Sequence, residues 1–223
     1  MKKFELATEQ KINWYGRTLY RIRACVSFTT LTGEEVKAGD LGGFVEKLEN
    51  LSQDGTAWIY DNAKIWGNAE IYGDAEICGN AEIWGNAKIC SDARIWGNAE
   101  IYGDAEIYGD AKIYGNAKIC SDARIYGDAK IYGDAKICGD AEIFMTEHVL
   151  VIGAIGSRND FTTFFRDKDN EISVKCGCFL GKIDAFLNKV NETHGDNKHA
   201  AVYRAAVEVA RAQIDLTTEA THK

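Results

Sequence analysis

The stretch IYGDAEIYGDAKIYGNAK, residues 101–118, repeats nearly the same six letters three times. Isoleucine recurs at every sixth position from Ile59 to Ile143, and alanine keeps the same step from Ala57 to Ala141. An α-helix turns by a net angle of about 240° over six residues, so these isoleucines would scatter around it. The spacing therefore excludes a helix.

In extended chain, an alanine and the isoleucine two residues later point to the same side. Each hexad then contains a short strand, and Gly-Asn or Gly-Asp follows it. Glycine adopts positive φ freely, and Asn and Asp tolerate the left-handed region, so these dipeptides turn the chain. A turn every six residues predicts a solenoid with Ile and Ala inside and with coils that hydrogen-bond to one another.

These residues resemble the hexapeptide-repeat left-handed β-helix family, whose motif is aliphatic-Gly-x-x-small-x. The resemblance implies the left hand, three hexads in each 18-residue coil and about five coils over residues 51–143. The segments RTLYRIRA (17–24) and VKAGDLGGFVEKLENLSQDGTAWI (36–59) resemble the entry cap of the YdcK-like proteins of bacteria and phages, which are often labelled transferases.

The C-terminal residues leave the repeat. HVLVIGAIG and FTTFFRDKDNEISVKCGCF indicate three strands, with DKDN as a hairpin turn. Two helical patterns follow, one ending at Gly195 and one starting after an N-cap at Asp196 or Asn197. The predicted fold is mainly β: an N-terminal β cap over 1–50, a single-stranded left-handed parallel β-helix over 51–147, and a small β-β-β-α-α domain over 148–223.

Composition and charge point to a non-exported protein. The net charge is −8, and residues 51–143 carry 16 acidic and 8 basic side chains, so the acidity belongs to the repeat. No apolar run reaches the roughly 20 residues that span a bilayer. We expect a cytoplasmic protein, in the bacterial host if phage-encoded, with no membrane partner.

Its seven cysteines are expected to be free thiols, including Cys120 and Cys138 on adjacent coils.

Histidine placement argues against catalysis by the repeat. Hexapeptide acyltransferases use a histidine base and β-helix carbonic anhydrases use three histidines on a metal, but residues 1–147 contain none. An acyltransferase-like enzyme is therefore disfavoured. We predict no catalytic residue, no metal and no cofactor, although the tail leaves two alternatives open: a zinc site from Cys176, Cys178, His194 and His199, and a nucleophile pair from Cys178 with His194.

Columns of residues 18 apart predict where side chains stack. One outward column alternates in sign: Glu70, Lys88, Glu106, Arg124, Glu142. Opposite charges on neighbouring strands contribute about 0.2 to 1 kcal/mol each and help to set register. A corner column contains only carboxylates: Asp74, Asp92, Asp110, Asp128. It suggests turn formation first, with divalent-cation binding or imitation of a phosphate backbone as alternatives.

The outward residue after each isoleucine is usually aromatic. Exposed aromatic area commonly marks an association surface, although aromatic ladders also stabilise stacked strands by themselves. We expect a homo-oligomer, with a trimer favoured as in many relatives. The candidate interface residues are Tyr60, Trp66, Tyr72, Trp84, Trp96, Tyr102, Tyr108, Tyr114, Tyr126 and Tyr132.

The tail offers a candidate ligand site. GAIGSRN supplies a glycine-containing loop, and nearby basic and imidazole groups could bind a phosphate or nucleotide. The candidates are Ser157, Arg158, Arg166, Lys175, His194, Asp196 and His199.

The predicted function is a non-enzymatic structural or interaction protein, an oligomerising β-helix that presents a C-terminal recognition domain. The alternative is a phage-type binding protein that sequesters a nucleotide-like ligand or inhibits a host protein. A nucleic-acid partner is not expected for so acidic a chain.

Overall fold

The computed structural model describes residues 2–218 and confirms the predicted order of parts. A parallel β-solenoid of about six turns is followed by an antiparallel sheet and then by two helices. None of the helices in this range has the length and apolarity that crossing a membrane requires.

The solenoid wall consists of two-residue strands stacked in three parallel columns, which we call faces 1, 2 and 3. Face 1 contains β7 (Lys64–Ile65), β10 (Glu82–Ile83), β13 (Glu100–Ile101), β16 (Lys118–Ile119) and β19 (Lys136–Ile137). Face 2 contains β8 (Glu70–Ile71), β11 (Lys88–Ile89), β14 (Glu106–Ile107), β17 (Arg124–Ile125) and β20 (Glu142–Ile143). Face 3 contains β6 (Trp58–Ile59), β9 (Glu76–Ile77), β12 (Arg94–Ile95), β15 (Lys112–Ile113) and β18 (Lys130–Ile131).

Neighbouring coils pair in the register that the 18-residue columns predict. Ile83 lies opposite Ile101 on face 1, and the backbone N–H of Trp96 donates to the carbonyl of Ile113 at 2.8 Å. The repeat isoleucines and alanines are 0–1% exposed and form one continuous core. Burial of this ladder on the inner side explains the strict hexad spacing.

The N-terminal residues form an additional turn and a lid. The strands are β1 (Phe4–Ile12), β2 (Thr18–Ala24), β3 (Phe28–Thr29), β4 (Glu35–Val36) and β5 (Leu41–Val45), followed by a short 3₁₀ helix at Leu48–Asn50. β5 pairs in parallel with β7, and Leu51 bridges Ile71. These contacts raise the predicted five coils to about six, because residues 41–51 supply rungs without the hexad letters.

The start of the chain closes the upper end of the core. β1 and β2 continue the face 1 sheet as an antiparallel pair, and Phe4 and Ile22 are fully buried in the solenoid core. The Lys3 ammonium donates to the carbonyls of Asp54, Gly55 and Ala57 at 3.1–3.2 Å. Burial lowers the pKa of Lys3 to about 8.

The C-terminal unit closes the lower end. A 3₁₀ turn at Thr146–His148 leads into β21 (Val149–Ile155), β22 (Asp160–Arg166), β23 (Ile172–Cys176) and β24 (Phe179–Lys182), then α1 (Ile183–His194) and α2 (Lys198–Gln213). The prediction of three strands was one short. Gly177 takes φ +56° between Cys176 and Cys178, and this turn folds β24 back onto β23.

The two faces of this sheet pack on different partners. Phe165 is 1% exposed within the solenoid core, together with the partly buried Val149 and Val151. Its neighbour Phe164 points to the other side and packs with Phe186 and Tyr203 of the helices. The C-terminal unit is therefore a cap on the solenoid as well as a small α+β unit.

The corners use glycine and amide chemistry as predicted. Gly97 adopts φ +89°, and a Cβ there would lie 2.7 Å from the carbonyl oxygen of Gly115 on the next coil. Amide side chains form ladders, in which Asn80 donates to Asn98, Asn98 to Asn116, and Asn116 to Asp134 at 3.0–3.1 Å. A carboxylate cannot donate, so Asp134 ends the ladder.

Candidate functional site

The structure gathers three of the predicted ligand residues at one place. Ser157 Oγ lies 3.5 Å from His194 Nε2, although 37 residues separate them in sequence. The His194 ring lies 5.8 Å from the His199 ring and 5.8 Å from the Tyr203 ring, with a near-parallel orientation to the tyrosine. We call Ser157, His194, His199 and Tyr203 the imidazole cluster.

Tyr203 was not among the candidates that the sequence offered, and Cys176, which the zinc alternative included, lies next to it. Tyr203 is 4% exposed, and its hydroxyl lies 3.8 Å from Cys176 Sγ, which also accepts a hydrogen bond from Thr162 at 3.3 Å. Burial, followed by the neighbouring Cys176, raises the pKa of Tyr203. The four-residue step from His199 to Tyr203 on a predicted helix was the available signal, since such residues share a face.

The cluster supplies hydrogen-bonding groups without an orienting acid. Asp196, predicted to join the ligand site, instead pairs with Arg204 at 3.1 Å beside the end of α1. Within residues 2–218, neither His194 nor His199 has a carboxylate hydrogen-bond partner. A nucleophile or base normally needs such a third group to fix its geometry.

Arg166 lies elsewhere, at the junction of the solenoid and the C-terminal unit. It is 7% exposed, and its Nη1 donates to the Glu142 carboxylate at 3.0 Å and to the Glu142 carbonyl at 3.2 Å. Its guanidinium also lies 4.8 Å from the Phe144 ring centroid. These contacts make Arg166 a clamp between the two parts.

His148 lies in the same junction and is fully buried. Its Nδ1 accepts the backbone N–H of Phe144 at 3.4 Å. Burial, and then the positive charge of Arg166, lower the pKa of His148 to about 4. The ring is therefore neutral at pH 7 and serves as an acceptor in the packing of the junction.

The two remaining basic candidates also stand apart. The Arg158 guanidinium packs over the turn at Gly177, where a Cβ would lie 3.2 Å from its Nη1. Lys175 lies opposite Thr163, whose hydroxyl accepts the backbone N–H of Lys136 on the solenoid side of the sheet. Successive strand residues face opposite sides, so Lys175 points away from the side that carries Cys176. The structure does not bring Arg158, Arg166 and Lys175 into one phosphate cradle.

The aromatic columns form stacked ladders. Trp66 and Trp84 stack with ring centroids 4.9 Å apart, and Tyr108 and Tyr126 do so at 5.0 Å. Trp66 and Tyr126 are only 2% and 5% exposed, so they have little area to offer a partner. Tyr132 is 53% exposed at the end of its ladder.

A second aromatic surface, which the repeat pattern did not predict, lies on the hairpin between β1 and β2. Trp14 and Tyr15 are 64% and 55% exposed. The Trp14 indole N–H donates to Glu82 at 3.2 Å, and its ring meets Trp84 edge to face. This contact folds the hairpin tip against the side of face 1.

The outward charges pair across coils on faces 1 and 2. Lys64 lies 2.6 Å from Glu82, Lys118 lies 2.8 Å from Glu100, and Arg124 lies 3.6 Å from Glu106. The predicted register of the alternating column is confirmed, with Lys88 between Glu70 and Glu106. These charges stabilise the wall.

The carboxylate corner column lies between faces 2 and 3. Asp74 accepts the backbone N–H and the hydroxyl of Thr56 at 2.9 and 2.7 Å, and these bonds lower its pKa. Burial, followed by repulsion from Asp110 and Asp74, raises the pKa of Asp92. Across residues 2–218, no group of three or more His, Cys, Asp or Glu side chains is placed to hold a metal ion.

One expectation about cysteine is corrected. Cys120 and Cys138 form a disulfide, with their Cα atoms 4.7 Å apart on adjacent coils. Coil stacking alone brings two cysteines of one column into the Cα separation that a disulfide needs. Cys25, Cys78, Cys90, Cys176 and Cys178 are free.

These features together define a parallel β-solenoid of hexapeptide repeats with a cap at each end. Comparison with models of known protein families gives no match, and comparison with curated proteins gives none either.

Proposed function

We propose that the protein is a non-enzymatic scaffold that self-associates through the side of its solenoid and presents the C-terminal unit for recognition. The observation that carries this proposal is the single core that runs from Phe4 to Phe165. Each end of that core is covered by the chain itself. The flanks, with their regular outward columns, are left for contact with partners.

The chemistry of the flanks supports a binding role over a catalytic one. Residues 1–147 contain no histidine, so the acyltransferase-like reading lacks its usual base. On faces 1 and 2, Lys64 pairs with Glu82, Lys118 with Glu100 and Arg124 with Glu106 across coils, and corner amides form ladders. Such groups hold a wall together and do not supply a proton shuttle.

A relationship to the YdcK-like proteins is part of this proposal. The entry segment resembles that of the YdcK-like proteins of bacteria and phages, and a trimer is the state that the resemblance implies. A cytoplasmic setting is consistent with that resemblance.

Sedimentation velocity of the full chain over a range of concentrations tests the scaffold. We expect an oligomer, in which Tyr132→Ser weakens association while Leu180→Ser, at an exposed site on the C-terminal unit, does not. A chain that sediments as a monomer at every concentration would overturn the proposal.

A second candidate function is capture of a small polar ligand by the imidazole cluster. The observation in its favour is that Ser157, His194 and His199 meet across two helices and a loop. Isothermal titration with adenosine monophosphate tests the nucleotide-like class. Binding that His194→Ala abolishes and Asp196→Ala preserves would support it, and absence of binding to the wild-type chain would dismiss it.

A further inference from the structure

Face 1 places like charges opposite each other in two pairs, Glu82 with Glu100 and Lys118 with Lys136, but each of these four groups has an ion-pair partner within the chain. Face 3 carries a longer run of like charge. Its outward column places Arg94 opposite Lys112, and Lys112 opposite Lys130. Like charges directly opposite each other on neighbouring strands destabilise a sheet. Three consecutive coils nevertheless carry cations here with no acid between them.

In the described part of the chain, this cation column has no ion-pair partner. Glu76, the acid above Arg94, is 3% exposed, and both its oxygens accept hydrogen bonds from Thr32, at 3.0 and 2.9 Å. Within residues 2–218, no carboxylate oxygen lies within 4.0 Å of a side-chain nitrogen of Arg94, Lys112 or Lys130. The Nε of Arg94 is shielded from solvent and has no hydrogen-bond partner among these residues.

A column of the opposite sign runs beside it. Asp92, Asp110 and Asp128 lie two residues before the three cations, at the corner where face 3 begins. Asp110, Asp128 and Lys130 are exposed. Burial raises the pKa of Asp92, and the neighbouring carboxylates Asp110 and Asp74 add to this effect. Both columns rise by about 4.8 Å per coil, so they are level with each other.

We propose that these two columns form a self-complementary contact with a second copy of this chain. A two-fold rotation about an axis parallel to the solenoid keeps the coils level and exchanges the columns, so this contact makes a dimer and not the trimer that the resemblance implies. Asp110 then meets the partner's Lys112, and Lys112 meets the partner's Asp110. The same exchange applies to the coils above and below. This inference rests on the proposed function and names the flank through which the scaffold associates.

The two columns together argue against a partner that carries charge of only one sign. A polyanion would meet the carboxylate column and a net charge of −8, and a polycation would meet the cation column. A surface with the same alternation satisfies both, and this chain carries one. A cavity of about 630 Å³ lies at the lower end of the columns and is lined by Asp110, Lys112, Asp128 and Lys130 among others.

The contact should be weak and sensitive to salt. Exposed ion pairs contribute little singly, and charges are screened beyond about 3 Å at 1 M ionic strength. Several level pairs acting together set the register between copies as well as the strength of association.

Complementary charge reversal tests this contact. One variant, Lys112→Glu with Lys130→Glu, makes both columns acidic; the other, Asp110→Lys with Asp128→Lys, makes both basic. We expect each alone to lose self-association in sedimentation velocity, and an equimolar mixture to recover it as a mixed complex. Lys189→Glu with Lys198→Glu, an equal charge change on the helices, should associate like wild type.

The outcomes separate this inference from the scaffold itself. A wild-type oligomer that persists unchanged in both reversed variants would overturn the proposed contact while leaving the scaffold standing. A monomeric wild type would overturn both. Loss of association without recovery in the mixture would also count against the contact, provided circular dichroism shows both variants folded.

Discussion

Two neighbouring phenylalanines on β22 offer a matched test of how the C-terminal unit is attached. Phe165 packs into the solenoid core and Phe164 packs among the helices, and each is at most 1% exposed. A buried Phe→Ala substitution costs about 3 to 5 kcal/mol. In a solenoid, where each coil contacts only its neighbours, such a loss acts mainly on the adjoining turn.

Phe165→Ala should therefore loosen the last turn, residues 130–143, and Phe164→Ala should loosen α1 and α2. At about 1.4 kcal/mol per tenfold change, amide exchange in the affected element should accelerate by about two to three and a half orders of magnitude. Hydrogen–deuterium exchange with mass spectrometry measures both patterns. If the two variants gave the same pattern, with the last turn as protected as in wild type, the cap assignment would be refuted.

Three further outcomes follow from the structure. Gly97→Ala should destabilise the chain more than Gly133→Ala. Both glycines have positive φ, but only a Cβ at position 97 would meet the backbone of the next coil. Equilibrium urea unfolding measures the two losses of stability, and equal losses would contradict this reasoning. The neutral, buried His148 has a folded pKa of about 4, below its ordinary 6.5, so its contribution to stability is present above pH 6.5 and is lost as the pH falls toward 4. Urea midpoints at pH 7 and pH 4.5 should differ less in His148→Asn, and an unchanged difference would count against burial as the cause. Alkylation of the unfolded, unreduced chain should modify five cysteines, with Cys120 and Cys138 protected, whereas seven adducts would contradict the disulfide.

The repeat could be predicted almost completely from sequence. The hexad spacing predicts inward Ile and Ala and a turn every six residues, and the resemblance to hexapeptide-repeat proteins implies three hexads in each coil. Residues 18 apart therefore meet as expected, as Glu100 and Lys118 do. The added turn at 41–51 was missed because its burial depends on β7 and β8, and no periodicity records that contact.

The candidate site was predictable only in part. The sequence placed Ser157, His194 and His199 in one list but gave no means of separating them from Arg166, whose position depends on the clamp with Glu142. The expectation of free thiols at Cys120 and Cys138 followed from a reducing compartment, whereas the stacking of adjacent coils brings the two cysteines within disulfide distance. The sequence places Arg94, Lys112 and Lys130 in one column. Only the structure shows that Glu76, at the head of this column, is hydrogen-bonded to Thr32 instead of pairing with Arg94.

The central claim is that the solenoid flank joins copies of this chain. Zero-length carbodiimide cross-linking of mixed ¹⁴N- and ¹⁵N-labelled full-length protein tests it most directly, because mixed-isotope peptides come only from different copies. The account predicts intermolecular links that join Asp110 or Asp128 to the partner's Lys112 or Lys130. Intermolecular links confined to residues 149–213, or none at all, would contradict it.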